Sequence, residues 1–221
     1  MKVCTDACIL GGFAAGLISK KQSNVKNILD IGTGTGLLSL MLAQKTTALI
    51  DTVEIEPHAF QQARENIEQS PWKGKIQSFR DDITQFKSDY KYDFIITNPP
   101  FFENELKAPN EKKNAARHDT TLTLKALLQV IDFHLSDAGL FIILLPQQRF
   151  DYFETEALKH KFFPSDKLCI RQTPQHDFFR VVAVFSRTLS EREVHEMDIK
   201  NEAGDYTKEF VGLLKDYYLN L

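Results

Sequence analysis

The stretch LDIGTGTGLLSL, Leu29 to Leu40, limits the fold more than any other feature of the chain. An apolar strand runs to Asp30, three glycines follow at Gly32, Gly34 and Gly36, and an apolar helical run begins. Glycines let the backbone turn tightly and approach a ligand closely, so strand, glycine turn and helix together form a nucleotide-type site. A dinucleotide fingerprint needs glycine at the third position after Gly34, and that position is Leu37. The spacing is Gly-x-Gly-x-Gly with an acid two residues before it, which suits a ligand carrying a cationic amino acid group better than a pyrophosphate. Glu54 ends the next strand, where its carboxylate can accept both hydroxyls of a ribose. A tight turn alone would explain the glycines, but not the glycines with Asp30 and Glu54 together.

Short β-branched runs alternate with amphipathic stretches along the rest of the chain, the rhythm of a parallel sheet with helices on both faces. Strands are predicted at about 27–31, 50–55, 75–79, 92–97, 139–145, 167–172 and 179–186, with helices near 36–45, 57–69, 121–135 and 147–161. A first helix, capped by Thr5 or Asp6, fills much of an N-terminal helical segment, 1–20, and the last twenty-five or so residues add a strand and a closing helix. With 221 residues the chain suits one α/β domain, 1–221. Residues 103–119, ENELKAPNEKKNAARHD, are charged and lack apolar periodicity, which predicts a long functional loop on the substrate side.

Composition excludes several classes. No apolar run approaches the length of a membrane span, and nothing at the N-terminus reads as a signal peptide. The three cysteines, Cys4, Cys8 and Cys169, contain no Cys-x-x-Cys pair, so neither a disulfide framework nor a zinc ribbon is expected, and a reducing cytoplasm is the simplest setting. Cys4 and Cys8 can share a helix face, but no His or Cys partner lies nearby, and no metal is expected. A net charge of −3 means that any polyanion must be met by a local patch. Lys107, Lys112, Lys113 and Arg117, in the long loop, are the candidate phosphate contacts. His118 beside them reads at least as well as a solvated loop histidine as a gate, and His176 with Arg180 in PQHDFFR could touch phosphate but reads better as surface decoration. A monomer is the default.

With Asp30, the glycines and Glu54 in place, the chain resembles the class I S-adenosylmethionine-dependent methyltransferases. The resemblance implies a Rossmann-like three-layer α/β sandwich around a mostly parallel seven-stranded sheet with an antiparallel edge strand. It implies that Asp30 and the turn Gly32, Thr33, Gly34 and Gly36 cradle the methionine moiety of S-adenosyl-L-methionine and that Glu54 holds the ribose. Asp82, with Ile83 beside it in RDDI, would face the adenine, and Asp81 is the neighbouring alternative. Glu56 competes with Glu54 but reads as a first-turn helix acid.

The stretch DFIITNPPFF, Asp93 to Phe102, then acquires a meaning. Proline removes a backbone donor and keeps its predecessor out of the helical region, so Asn98-Pro99-Pro100 leaves its strand in a fixed extended conformation. An exocyclic amine conjugated to a ring is a poor nucleophile. Two acceptors aimed at its hydrogens, the Asn98 side-chain oxygen and the Pro99 carbonyl, favour the tetrahedral form as the methyl arrives, and no strong base is needed because the sulfonium is a good leaving group. Asn98, Pro99, Pro100 and Phe101 are therefore the candidate catalytic residues, Asn98 also touching the donor and Phe101 stacking the target base.

MKVCTDACILGGFA at the start, ENIEQSPW at Glu65–Trp72, NPPFF, RHDTTL at Arg117–Leu122 and DYTKEFVGLLKDYYL near the end together resemble one subfamily. They are similar to the bacterial tRNA (adenine-N6)-methyltransferases that modify the adenosine next to the anticodon of a valine tRNA. The resemblance spans essentially the whole chain and implies a tRNA partner, with S-adenosyl-L-homocysteine as the donor's product. Phe101 stands where that family often has tyrosine, keeping the stacking face without the hydroxyl. Such enzymes usually carry a short segment before MKV, which implies that residues helping to bind RNA precede Met1. The same motif also serves ribosomal RNA guanine-N2 methyltransferases, which commonly add a second domain, and protein glutamine N5-methyltransferases, whose motif usually ends in tyrosine. A non-catalytic RNA-binding module is the remaining alternative, and intact Asp30, Glu54 and Asn98 speak against it.

Overall fold

The computed structural model describes residues 4–20, 25–100 and 122–220. Within them one sheet contains β1 (Asn27–Ile31), β2 (Leu49–Glu54), β3 (Ile76–Arg80), β4 (Tyr92–Thr97), β5 (Leu135–Pro146), β6 (Phe163–Arg171), β7 (Arg180–Ser186) and β8 (Glu193–Asp198). The helices are α1 (Thr5–Lys20), α2 (Leu37–Ala43), α3 (Pro57–Glu68), α4 (Leu124–His134), α5 (Gln147–Lys159) and α6 (Lys208–Leu214). Phe101 and the segment 103–119, with Lys107, Lys112, Lys113, Arg117 and His118, lie outside the described residues.

Alternation along the strands makes three layers. Ile28, Phe94, Ile96, Ile142 and Leu144 face one core with α1, α2, α3 and α6. Leu29, Ile95, Phe141, Ile143 and Leu145 face the other with α4 and α5. In the second layer Phe141 stacks on Phe185 with ring centroids 5.0 Å apart. No helix among the described residues is long and apolar enough to cross a membrane.

The strand order is β3-β2-β1-β4-β5-β7-β6-β8, the Rossmann-like α/β class expected, with two particulars revised. The sheet has eight strands among the described residues, because the C-terminal strand joins it as β8, parallel to β6. The antiparallel strand, β7, is not at an edge: it pairs with β5 on one side and β6 on the other. A short link after Arg171 folds β6 and β7 into a hairpin, and Val181–Phe185 is buried throughout, which requires an interior place. Most of β8 is exposed and charged, as an edge strand tolerates and a central one does not.

The order reverses between β1 and β4, so the connections leaving these two strands diverge and open a crevice at their C-terminal ends. The seam is pinned at both ends. Lys26 N–H and Asn27 N–H donate to Asp93 Oδ2 at 2.8 and 3.1 Å, and Thr97 Oγ1 donates to the Ile31 carbonyl at 3.0 Å.

Candidate active site

The glycine turn leaves β1 directly into this crevice. Gly32, Gly34 and Gly36 all have positive φ, at 69°, 58° and 82°. Gly32 N–H donates to the Val53 carbonyl at 2.9 Å, which docks the turn onto the end of β2. A Cβ on Gly32 would meet nothing within 4 Å, so this glycine keeps open the space above the turn. At Gly36 a Cβ would meet Ala63 at 3.6 Å, so that position is set by contact with α3.

Asp30 is fully buried beneath the turn. Its Oδ2 accepts from Thr33 Oγ1 at 2.6 Å and Ser39 Oγ at 2.7 Å, while Oδ1 is buried with no hydrogen-bond partner among the described residues. Burial pushes its carboxyl up to about 6; the Thr33 and Ser39 hydrogen bonds oppose the rise and the nearby Glu54 charge adds to it. Glu54, also buried, accepts from Gly34 N–H through Oε2 and from Glu56 N–H through Oε1, both at 2.9 Å. It therefore supports the glycine turn and leaves remaining lone pairs for a diol.

Asp81 N–H donates to the Glu54 carbonyl at 3.2 Å, bringing the turn after β3 beside the end of β2. There Asp82 Oδ1 accepts from Thr84 N–H and Oγ1, Asp81 Oδ1 accepts from Asp82 N–H, and Ile83 is buried in the second core. Glu56 caps α3, accepting from His58 N–H and Ala59 N–H, and these bonds lower its carboxyl pKa.

Across the seam, Asn98 follows β4. Pro99 is buried, Pro100 is exposed, and Asn98 Oδ1 is buried with no hydrogen-bond partner among the described residues. Near the ends of two adjacent strands there are thus two buried acceptors without a partner among the described residues, Asp30 Oδ1 and Asn98 Oδ1. A buried polar atom without a partner is costly, so both are places where a further donor would be accommodated favourably.

Three supporting residues escaped the sequence reading. Ser39 holds Asp30, Asn66 Nδ2 donates to the Thr35 carbonyl at 2.9 Å from α3, and Thr97 ties β4 to β1. The one available signal was a hydroxyl inside an otherwise apolar run, at Ser39 in LLSLMLA and Thr97 in FIIT. Of the outlying candidates, Arg180 Nε pairs with Asp6 Oδ2 at 2.8 Å, and exposed His176 bonds Thr173 Oγ1. Cys8 is buried and Cys4 exposed, and neither belongs to a metal-ligating cluster among the described residues.

This strand order, with a glycine turn and an Asn-Pro-Pro exit meeting across its central seam, is that of a class I methyltransferase. The family described as "Methyltransferase small domain" matches residues 14–144. A tRNA1(Val) (adenine(37)-N6)-methyltransferase of Dyadobacter fermentans is 40% identical over 99% of this chain and 91% of its own length. The protein of the same description from Photorhabdus laumondii is 38% identical over 99% and 89%. Among solved structures, a predicted O-methyltransferase of Agrobacterium tumefaciens aligns over 97% of this chain and 99% of its own at a TM-score of 0.73 and 14% identity, a likeness of fold. The chain belongs to the tRNA1(Val) (adenine(37)-N6)-methyltransferase family.

Proposed function

We propose that residues 1–221 work as one methyltransferase domain that transfers a methyl group from S-adenosyl-L-methionine to the N6 amine of an adenosine in transfer RNA, next to the anticodon of a valine tRNA. The observation that carries this reading is the buried Asn98 Oδ1, without a partner among the described residues and across the seam from the glycine turn, in a chain aligned along its length with relatives of that activity. Such a reaction belongs in the cytoplasm.

The residues present suit the donor. The open space over Gly32 admits it, Asp30 Oδ1 is assigned to its ammonium, Glu54 to its ribose, and Asp82 with Ile83 to its adenine. When bound, S-adenosyl-L-methionine supplies an electrophilic sulfonium methyl with a neutral thioether as leaving group. Asn98 Oδ1 and the Pro99 carbonyl accept hydrogen bonds from the two amine hydrogens of adenine, localising the nitrogen lone pair outward, and the proton left in excess on nitrogen after methyl transfer passes to solvent. The prolines hold both acceptors in place before substrate arrives, so little reorganisation accompanies the reaction.

Asp30 gives this donor site a pH signature. Its carboxyl titrates near 6, and an ammonium favours the charged form, so donor binding lowers that pKa and affinity falls as pH drops below 6, by up to about tenfold per unit. Calorimetry with S-adenosyl-L-homocysteine between pH 5 and 8 is expected to show this loss in the wild type and a flatter profile in Asp30→Asn. Identical profiles would remove Asp30 from the donor site.

The reaction is tested by incubating the protein with labelled donor and unmodified valine tRNA, then digesting to nucleosides for mass spectrometry. N6-methyladenosine that disappears when the target adenosine is replaced by guanosine is the expected result. N2-methylguanosine, or label only in protein, refutes the assignment.

A further inference from the structure

We infer that a cavity at the C-terminal end of β6 is a second nucleotide subsite, which takes a base flanking the target and stacks it on Tyr206. The inference rests on the proposed action on transfer RNA. The cavity measures about 250 Å³ and is lined by Thr5, Asp6, Gln172, Phe179, Lys200 and Tyr206. It is below the roughly 300–1,000 Å³ typical of drug-sized ligands, a size for one ring system.

Its place in the fold relates it to the reaction site. β6 runs parallel to β4, so the cavity opens on the same edge of the sheet as the Asn98-Pro99-Pro100 exit. From β4 through β5 and β7 to β6 is three strand spacings, about 14 Å. A splayed anticodon loop covers such a distance with a short run of unstacked nucleotides.

The walls are built and fixed. Tyr206 stacks on Phe210 with centroids 4.8 Å apart and planes 15° apart, yet stays 44% exposed. A backbone bridge joins it to Lys200. The turn between them is closed by Asp205 N–H donating to Asn201 Oδ1 at 2.9 Å and by Gly204 at φ 87°. Next to it, Thr207 caps α6 and donates to the Asp198 carbonyl. Phe179, half-buried, also lines the cavity, as does Asp6, which is held by Arg180.

The chemistry of the lining distinguishes a base from a phosphate. Asp6 is already paired with Arg180, which leaves no free cation of that pair for a phosphate, whereas Gln172, Thr5 and the remaining Asp6 lone pairs offer donors and acceptors to a base edge or a ribose hydroxyl. The Lys200 ammonium lies 5.3 Å from the centre of the Tyr206 ring. An incoming base takes that ring face, and Lys200 turns to the phosphate at the rim. An aromatic platform with an adjacent cation is the pattern by which proteins hold single-stranded nucleic acid.

Tyr206→Leu keeps apolar contact with Phe210 and removes the stacking face; Tyr206→Phe keeps both. Steady-state methylation of valine tRNA is expected to show KM for RNA raised roughly tenfold or more in Tyr206→Leu, with kcat and S-adenosyl-L-homocysteine affinity within about twofold of wild type. Tyr206→Phe is expected to match wild type, and Lys200→Ala to reduce the salt dependence of RNA binding. Unaltered donor affinity and melting temperature separate this effect from misfolding. A KM in Tyr206→Leu within about twofold of wild type overturns the subsite while methylation by the wild type still stands. Absence of any methylation of valine tRNA by the wild type overturns the proposed function and the subsite with it.

Discussion

Asn98→Ala is expected to reduce methyl transfer to valine tRNA by about 10²–10³-fold or more, the scale of removing one preorganised acceptor or donor from a reacting centre. Binding of S-adenosyl-L-homocysteine should stay within a few-fold of wild type. Asn98 Oδ1 has no partner among the described residues, so its removal breaks no internal hydrogen bond there and the fold has little to lose. Thr97 still ties β4 to Ile31, and the prolines still fix the exit. Single-turnover rates give the chemical step and calorimetry gives donor affinity. A parallel fall in both would mean that Asn98 acts through the donor instead of the amine.

Glu54→Ala should show the opposite pattern and a larger structural effect. Two backbone donors, Gly34 N–H and Glu56 N–H, lose a charged acceptor, each such bond being worth about 1.5–3 kcal/mol. Gly34 belongs to the proposed donor turn, so donor affinity is expected to fall on the order of a hundredfold, together with a lower melting temperature. Glu54→Gln cannot restore it, because one of its two ends is an NH₂ group that would face a backbone N–H. Normal donor binding in Glu54→Ala would show that neither the ribose nor the turn depends on this carboxylate.

Local rules made part of this site readable. Positive φ demands glycine, so Gly32, Gly34 and Gly36 announced the turn, and two prolines announced the rigid exit at Asn98. Glu54 was legible because a strand end places its last side chain predictably. The place of β7 was not, because pairing order depends on distant partners; the alternatives differ only in which neighbours cover Val181–Phe185. Ser39, Asn66 and Thr97 were missed for the same reason: a hydroxyl or amide in a periodic run gives no sign of a partner nine, 31 or 66 residues away. Asp30 reads from the sequence as a ligand contact; the geometry shows that one of its oxygens anchors the turn, while the other has no partner among the described residues.

The seam between β1 and β4 also governs how activity is acquired during folding. Its side-chain ties, Thr97 to Ile31 and Asp93 to Lys26 and Asn27, each close a loop of 66 or 67 residues. Closing a loop costs entropy that rises only slowly with length, but the contacts return nothing until the loop has closed. Before that moment the nascent chain can hold a glycine turn, or an Asn-Pro-Pro exit, without the two facing each other. Catalytic competence therefore arrives in one step with this long-range pairing, and recovery of activity during refolding times the zipping of these two strands.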